Sequence, residues 1–466
     1  MKGNAAKRIS NLALVATAVV LGLGGCSSLP TINPDMALTP RVSVQLQGAR
    51  GPLTTDQSKA IIEKLKANSP KSSILDRHLA VEAAVVGSPL IVGNRVTLLQ
   101  DGAATFPAVF NAIKRARDHI NVETYILEDD EVGNQFANLL IEKQTAGIQV
   151  NLMYDSVGSI DTPKAFFARL TDSGVNVVEF NPVNPLTAKA GWNVNHRDHR
   201  KLMIIDGDTA FTGGVNISSV YSGGSLRQTT AAKPEARAPW RDTHMQIEGP
   251  VVAEFQKLFI ASWEKQKGNA LAPKNYFPKT TAQGQEIVRA IGSSPDEPGS
   301  LIYATLISAI RNAESAVNIT NAYFVPDPQL LTALTDAAQR GVNVRLLLPS
   351  HSDSWLTLHV GRSHYEELLA AGVKIYERRD RILHAKTAMI DGVWSTVGST
   401  NLDWRSFLNN DEVNAVILSN DFATQMKVAF ERDIAQSNAI TLSNWRNRPL
   451  SLRMRETFAR LWQRGL

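Results

Sequence analysis

Residues 199–206, HRKLMIID, recur in altered form at 384–391 as HAKTAMID, and the recurrence extends well beyond those eight positions. GIQVNLMYD (147–155) has a counterpart 194 residues later in GVNVRLLLP (341–349), and GVNVVEF (174–180) pairs in the same way with GVKIYER (372–378). Past the motifs, Gly213 and Asn216 stand at the same offsets from Asp206 as Gly398 and Asn401 stand from Asp391. A chain that repeats a whole unit, motif included, is a duplicated domain. The predicted outcome is two similar halves packed face to face, so that the two motif copies meet at a pseudo-twofold axis, like an isologous dimer fused into one chain.

Within each copy, apolar runs of strand length alternate with amphipathic helical stretches. RVTLLQD (95–101) reads as strand, 105–118 as helix, HINVETYIL (119–127) as strand, 131–145 as helix and 147–155 as strand. In the second copy AVNITNAYFV (316–325), 327–340 and 341–349 repeat strand, helix, strand. Alternation of this kind indicates α/β layering. The fold class is therefore α/β: two tandem domains, each a mixed sheet flanked by helices, with one active site at their interface. A length of 466 residues exceeds what one core needs and suits this division. The boundaries read as 1–25, a signal peptide; 26–90, a tether rich in Pro, Ser, Thr and Gly with helical patterns near 56–67 and 74–86; 91–270, the first domain; and 271–466, the second.

The N-terminus carries a basic region at Lys2, Lys7 and Arg8, then an apolar run from Leu12 to Gly25 that is short for a membrane span and right for a signal-peptide core. It ends at Cys26, the only cysteine. Leu23-Gly24-Gly25-Cys26 resembles a bacterial lipobox, which implies cleavage before Cys26 and acylation of the new N-terminus. Multiple acyl chains would anchor the chain stably. Ser27, a non-Asp residue after the Cys, resembles the signal for the outer membrane in a cell with two membranes, which implies a site facing the periplasm. The rival reading is an ordinary signal peptide or uncleaved anchor with an incidental Cys.

Each motif has the form His-x-Lys-x4-Asp. On a strand, side chains two apart share a face, so His199 points with Lys201 and His384 with Lys386. Two such pairs around one spot suit a phosphodiester. Lysines neutralise the non-bridging oxygens, one imidazole attacks phosphorus to form a phosphohistidine, and the other protonates the departing alkoxide. The histidines then need different charge states, which carboxylate neighbours can supply. The candidates are Asp242 in WRDTHMQIEG and Glu412 in NNDEVNAVI, each downstream of its own motif. Alternation places Asp198 and Arg200 on the opposite face, where they read as solvated charges; His351, His359 and His364 lie outside the motif and read as surface or core residues.

Two asymmetries stand out. From Gly174 to His199 is 25 positions, but from Gly372 to His384 only 12, so the first half carries about 13 extra residues around PVNPLTAKAGWNV (182–194). This loop is either a lid or lipid-facing wall, or a plain surface insertion. At the C-terminus, Leu450, Met454, Phe458, Leu461 and Trp462 fall on one helical face with arginines opposite. That pattern suits a helix capping the second domain by its apolar face, or one docking on a membrane surface.

The paired motifs resemble the phospholipase D superfamily, and more narrowly its bacterial cardiolipin synthase branch. VETYILEDDEVGNQF (122–136), FTGGVNIS (211–218), PWRDTHMQIEGP (239–250), AYFVPDPQLLTAL (322–334), VGSTNLDWRSFLNNDE (397–412) and DIAQS (433–437) carry the likeness, which spans roughly residues 90–466. The resemblance implies that His199 is the nucleophile and His384 the acid/base, or the reverse. It implies that Lys201 and Lys386 bind phosphate, helped by Asn216, Ser399 and Asn401, and that Asp242 and Glu412 orient the histidines. Asp206 and Asp391 complete the motif and read as tying down the turn after each strand. Neither a metal nor another cofactor is implied. The implied activity is phosphatidyl transfer, as in cardiolipin synthesis from phosphatidylglycerol, with a phospholipid substrate and a membrane surface as partners. Hydrolysis by the same site, a nuclease and a non-catalytic lipid-binding lipoprotein are the alternatives. The lipid anchor and the small net charge of +5 weigh against nucleic acid, and intact His and Lys pairs weigh against a dead site.

Overall fold

The computed structural model describes residue 29 and residues 44–67, 73–79, 86–183, 193–222, 239–297 and 299–466. The signal-peptide and Cys26 readings, part of the 74–86 pattern and residues 184–192 of the insertion lie outside the described residues.

Each half builds a sheet in the same strand order. In the first, Asn176–Phe180, Gln149–Asp155 and His119–Thr124 run parallel, followed by an antiparallel series of Lys201–Ile205, Thr209–Gly213, Thr243–Glu248 and Leu90–Gln100. In the second, Lys374–Arg378, Asn343–Pro349 and Ala316–Asn321 are parallel, then Lys386–Ile390, Trp394–Gly398, Asn410–Leu418 and Glu286–Ser293 antiparallel. Ser437–Ile440 adds an outer edge strand to the second sheet. The two sheets also join edge to edge, where Leu90–Gln100 pairs with Glu286–Ser293.

The parallel pairs need crossover helices, and the sequence supplies matched start and stop signals for them. Asp130 caps Glu131–Thr145 by accepting from Gly133 N–H, and Asp327 caps Pro328–Gln339 by accepting from Gln329 and Leu330. Both helices lead into glycines with positive φ, Gly147 (86°) and Gly341 (91°), where a side chain would be strained.

The sheets face each other across a shared core. Leu202, Ile204, Met245 and Ile247 of the first half pack with Met389, Val397, Val413 and Ala415 of the second, flanked by Phe255 and Phe259 of the helix Val252–Lys265 and Phe422 and Met426 of Asn420–Ala435. Burial of each such side chain contributes roughly 1.5–3 kcal/mol, so the halves are held as one body. The outer faces carry separate cores under the crossover helices. The expected pair of α/β layers with facing sheets is what forms.

Two expectations fail. Asp198 and Arg200 are on the face opposite His199, but they are buried, not solvated. That face meets the helix Val252–Lys265: Arg200 Nη1 donates to Ser262 Oγ at 2.5 Å and sits 3.6 Å from the buried Glu123 carboxylate. The C-terminal helix Leu450–Arg460 does pack on the second half, against Trp355–Ser363, but not by its apolar face. Its buried residues are Glu456, paired with Arg448 at 2.6 Å, and Ala459, packed with Val325 and Val360. Leu450, Met454, Phe458, Leu461 and Trp462 remain 48–79% exposed. Of the three outlying histidines, His359 and His364 are buried and His351 is exposed.

Candidate active site

His199 and His384 precede their strands, Lys201–Ile205 and Lys386–Ile390, and each is held in place by the other half. Arg197 and Asp198 pair in parallel with Asn410 and Asp411, and His199 N–H donates to Asp411 O at 2.9 Å. Leu383 bridges Arg241, and His384 N–H donates to Arg241 O at 2.7 Å. The residue after each of those acceptors is a carboxylate. His199 Nδ1 lies 3.0 and 3.1 Å from the two Glu412 oxygens, and His384 Nδ1 lies 2.7 Å from Asp242 Oδ2. A carboxylate only accepts, so each Nδ1 carries the proton and each Nε2 is left for chemistry.

These pairings cross between halves, whereas Asp242 follows His199 in the chain and Glu412 follows His384. The sheet order explains the crossing. Within a half, the carboxylate strand lies two places from the motif strand, roughly 10 Å away at the usual strand spacing. An acid there cannot reach its own histidine, and the pseudo-twofold brings it to the other one.

The lysines fold back over their histidines. Lys201 Nζ donates to His199 O at 2.7 Å and lies 5.1 Å from the centre of the Tyr125 ring; Lys386 Nζ donates to His384 O and is 3.1 Å from His384 Nδ1. Burial pushes His199 down to about 4, with both lysines adding to the push and Glu412 opposing it. Burial likewise lowers His384, with Lys386 and Lys201 assisting and Asp242 opposing. Burial takes Lys201 to about 7 and Lys386 to about 8. Each histidine feels the lysine of the other half, and each lysine feels both carboxylates, so the four side chains form one electrostatic unit. Burial alone would raise the Asp242 and Glu412 carboxyls; their histidine and lysine neighbours outweigh it and hold both below the ordinary value.

The remaining predicted residues divide. Asn216 is buried beside the site, donating to Tyr221 Oη at 3.0 Å and accepting from Ile126 N–H. Asn401 is buried with its Oδ1 unpartnered; that oxygen only accepts, so a contact with phosphate would fall to its Nδ2. Ser399 departs from expectation: its hydroxyl donates to Glu412 Oε2 and accepts from Val413 N–H at 3.0 Å, so it orients the carboxylate instead of offering itself to phosphate. Asp206 and Asp391 lie at the far ends of the motif strands. Each accepts from three successive backbone N–H groups, Arg117 to His119 and Glu314 to Ala316, from a backbone with φ of 54° and 52°. They tie the turn after their own strand to the start of the neighbouring one and do not touch the histidines. Among the described residues no cluster of His, Cys, Asp or Glu is arranged to hold a metal.

Several neighbours of the site were not anticipated. Tyr221 Oη lies 3.3 Å from His384 Nδ1, and the Trp240 and Tyr323 rings centre 5.3 and 6.4 Å from that imidazole. Tyr125 meets the His199 ring edge-on at 4.9 Å. Asn410 donates to Glu412 Oε1 at 3.2 Å. Trp240 and Asn410 each stand two residues before a carboxylate, a spacing that shares a face on extended chain, which was the available sequence signal.

Comparison with known proteins supplies the chemical context. The family model described as "Cardiolipin synthase, PLD-like domain" matches residues 109–223 and 306–434. A cardiolipin synthase of Geobacillus sp. (strain WCH70) is 36% identical over 377 residues, covering 80% of this chain and 73% of its own. Cardiolipin synthase 2 of Bacillus anthracis is 35% identical over 366 residues, covering 78% and 69%. Among solved structures, a phosphatidylserine synthase of Haemophilus influenzae Rd KW20 shares the fold with a TM-score of 0.61 at 12% identity, over 83% of this chain and 99% of that one.

Proposed function

The chain belongs to the cardiolipin synthase, PLD-like domain family, and on that premise we propose that its single site moves a phosphatidyl group from phosphatidylglycerol to the free hydroxyl of a second phosphatidylglycerol, yielding cardiolipin and glycerol. The observation that carries this reading is the pair of buried imidazoles, each with Nδ1 on a carboxylate and Nε2 free. In the first step His199 Nε2 attacks phosphorus, the phosphorus–oxygen bond to glycerol breaks, and His384 Nε2 gives its proton to the leaving oxygen. In the second step His384 takes the proton of the incoming hydroxyl, whose oxygen displaces His199 from phosphorus. Lys201, Lys386 and Asn401 face the non-bridging oxygens.

The assignment of roles rests on unequal carboxylates. Glu412 shares its charge with Ser399 and Asn410 as well as His199, whereas among the described residues the Asp242 carboxylate accepts, besides the His384 contact, from Thr243 N–H at 2.7 Å. The less-shared anion favours the imidazolium more, so His384 is the acid. Lys386 opposes this at rest, and a bound phosphate draws its ammonium away.

The membrane setting belongs to the same proposal. Acylation at Cys26 anchors the chain in the bacterial cell envelope, at the outer membrane facing the periplasm where there are two membranes; the basic region, apolar run and lone cysteine at 2–26 support it. The deciding experiment incubates purified protein with phosphatidylglycerol vesicles and resolves the products. Cardiolipin with glycerol is expected. Phosphatidic acid alone would make the protein a hydrolase, and no product from any phospholipid would remove both readings. Replacing His199 or His384 by Ala is expected to abolish turnover.

A further inference from the structure

The described C-terminal segment presents an amphipathic helix the wrong way round for a protein in water. Leu450, Met454, Phe458, Leu461 and Trp462 recur at the spacing of one helical stripe, and at 3.6 residues per turn that stripe lies roughly 160° from the buried Glu456 and Ala459. The helix is therefore bolted to the protein by its small and paired-charge side, while its large apolar side chains stand in solvent at 48–79% exposure. Arginines flank the stripe: Arg453, Arg460 and Arg464 on one side and Arg455 on the other, all exposed and without a carboxylate partner among the described residues.

The end of the stripe is tied to segments that carry residues of the site. Gln463 Nε2 donates to Pro326 O at 2.9 Å, and Leu466 O accepts from Arg405 N–H at 2.6 Å. Pro326 follows Tyr323, whose ring centres 6.4 Å from that of His384, and Arg405 follows Asn401; the two segments are themselves joined, Leu402 N–H to Tyr323 O at 3.1 Å. Arg405 also reaches Asn195 O at 3.4 Å, beside the exposed Val194 that closes the first-half insertion. Trp355, 47% exposed, opens the helix on which the C-terminal helix rests.

We infer that this helix is a docking device that seats the protein on an anionic phospholipid surface with the Tyr323 edge of the active site toward the lipid. An apolar stripe of Leu, Phe and Trp flanked by arginines is the chemistry of an interfacial helix, in which the apolar side enters the acyl boundary and the cations meet lipid phosphates. A second copy of the chain fits less well, because stripe-to-stripe packing would oppose two sets of unpaired arginines. The inference rests on the phospholipid reading of the site for its purpose, but not for its binding test.

Full-length protein carrying Cys26→Ser and Met454→Cys is labelled at position 454 with an environment-sensitive fluorophore. It is mixed with phosphatidylcholine vesicles alone or containing about one-third phosphatidylglycerol. A blue shift with the anionic vesicles, weakened by salt, is expected, and Arg453→Glu/Arg460→Glu/Arg464→Glu is expected to raise the lipid needed roughly tenfold or more. Phe458→Ser/Leu461→Ser/Trp462→Ser is expected to lower turnover on vesicles about tenfold while leaving turnover of dispersed short-chain phosphatidylglycerol unchanged. No shift with anionic vesicles overturns the inference. So does a shift that grows with protein concentration in the absence of lipid, which would mark a second copy. Loss of dispersed-lipid turnover in the serine variant would also overturn it by placing the stripe in the site itself. If no phospholipid is turned over by any form, the proposed function falls, and the fluorescence shift alone still decides the docking surface.

Discussion

Glu412 Oε1 lies 3.0 Å from His199 Nδ1, although the two residues are 213 positions apart and belong to different halves of the duplication. The reciprocal contact, Asp242 to His384 at 2.7 Å, crosses the other way. Neither half therefore contains a complete histidine–carboxylate pair, and separating the halves would part each imidazole from its carboxylate.

Energetic coupling should follow these pairings and not the order of the chain. Double-mutant cycles on stability, using Ala at each position, are expected to give about 1–3 kcal/mol for His199 with Glu412 and for His384 with Asp242. The within-half combinations, His199 with Asp242 and His384 with Glu412, are expected to be several-fold weaker. Coupling strongest within halves would refute the crossed arrangement. In the active protein, Glu412→Gln and Asp242→Asn are each expected to lower turnover roughly 10²–10⁴-fold, because the imidazole loses the anion that fixes its tautomer.

Ser399 distinguishes a positioning role from a binding role. Its hydroxyl donates to Glu412, so Ser399→Ala should lower kcat roughly tenfold or more and leave KM nearly unchanged. A hydroxyl that held phosphate equally in the ground and transition states would, on removal, raise KM instead. Steady-state kinetics on dispersed substrate separates the two. Ser399→Thr, which keeps the hydroxyl, should restore most of the rate.

How far the molecule was legible depended on which physical signal each feature carries. The duplication, the layering and the composite site were readable because strand and helix periods differ, and because both halves repeat the motif with glycines and an asparagine at matching positions. The crossed carboxylates were not read, since both acids looked local along the chain; only the strand order shows that each lies two strands from its own motif. Alternation placed Asp198 and Arg200 on one face, but alternation is silent on whether that face meets water or the helix Val252–Lys265. The C-terminal helix misled for a related reason. Its apolar stripe was plain, but the side that packs is chosen by Ala459, which fits closely against Val325 and Val360, and by Arg448 neutralising Glu456.

The buried charges behind the site lead to a stability prediction. Arg200 is enclosed with Glu123 and Asp198, and its Nε donates to the backbone carbonyl of Glu412 at 3.1 Å. Burial already pushes the Glu123 and Asp198 carboxyls up, Asp198 well above the ordinary value; Arg200→Leu removes the cation that opposes this and is expected to destabilise the protein by about 3–5 kcal/mol. The triple change Arg200→Leu/Glu123→Leu/Asp198→Asn should recover much of that loss. Denaturant unfolding of the three forms tests both statements, and a surface-like effect of a few tenths of a kcal/mol for the single variant would contradict them.

Acid should unfold this protein early. Burial lowers His78 to about 3 and His199, His244 and His364 to about 4, from an ordinary 6.5. Between those values the unfolded chain binds protons that the folded chain refuses, so stability rises with pH across that window and falls as pH drops through it. Melting temperature should therefore decline steeply from pH 6.5 toward 4, and His244→Gln should flatten the decline if the fold accepts it. In the same way, kcat/KM should fall on the alkaline side as Lys201, near 7, and Lys386, near 8, lose their protons. That limb should move to higher pH in kcat, because a bound phosphate favours the ammonium forms.

The motif aspartates offer the sharpest separation of architecture from chemistry. Asp391 accepts from the N–H groups of Glu314, Ser315 and Ala316 while its own backbone sits at φ 52°, and Asp206 repeats the arrangement at φ 54°. Each carboxylate thereby satisfies donors that begin the strand of the parallel set beside its motif strand, at the end of the motif strand away from the histidine. Asp391→Ala removes those bonds and places an alanine in the left-handed region, so a loss of roughly 2–4 kcal/mol in stability is expected. Asp391→Asn, which tolerates that backbone and keeps one acceptor oxygen, should lose about half as much. Neither change should alter kcat by more than about twofold in protein kept folded at low temperature, because no atom of Asp391 faces the reacting groups. A large fall in kcat with an unchanged melting temperature would return the aspartates to the chemistry.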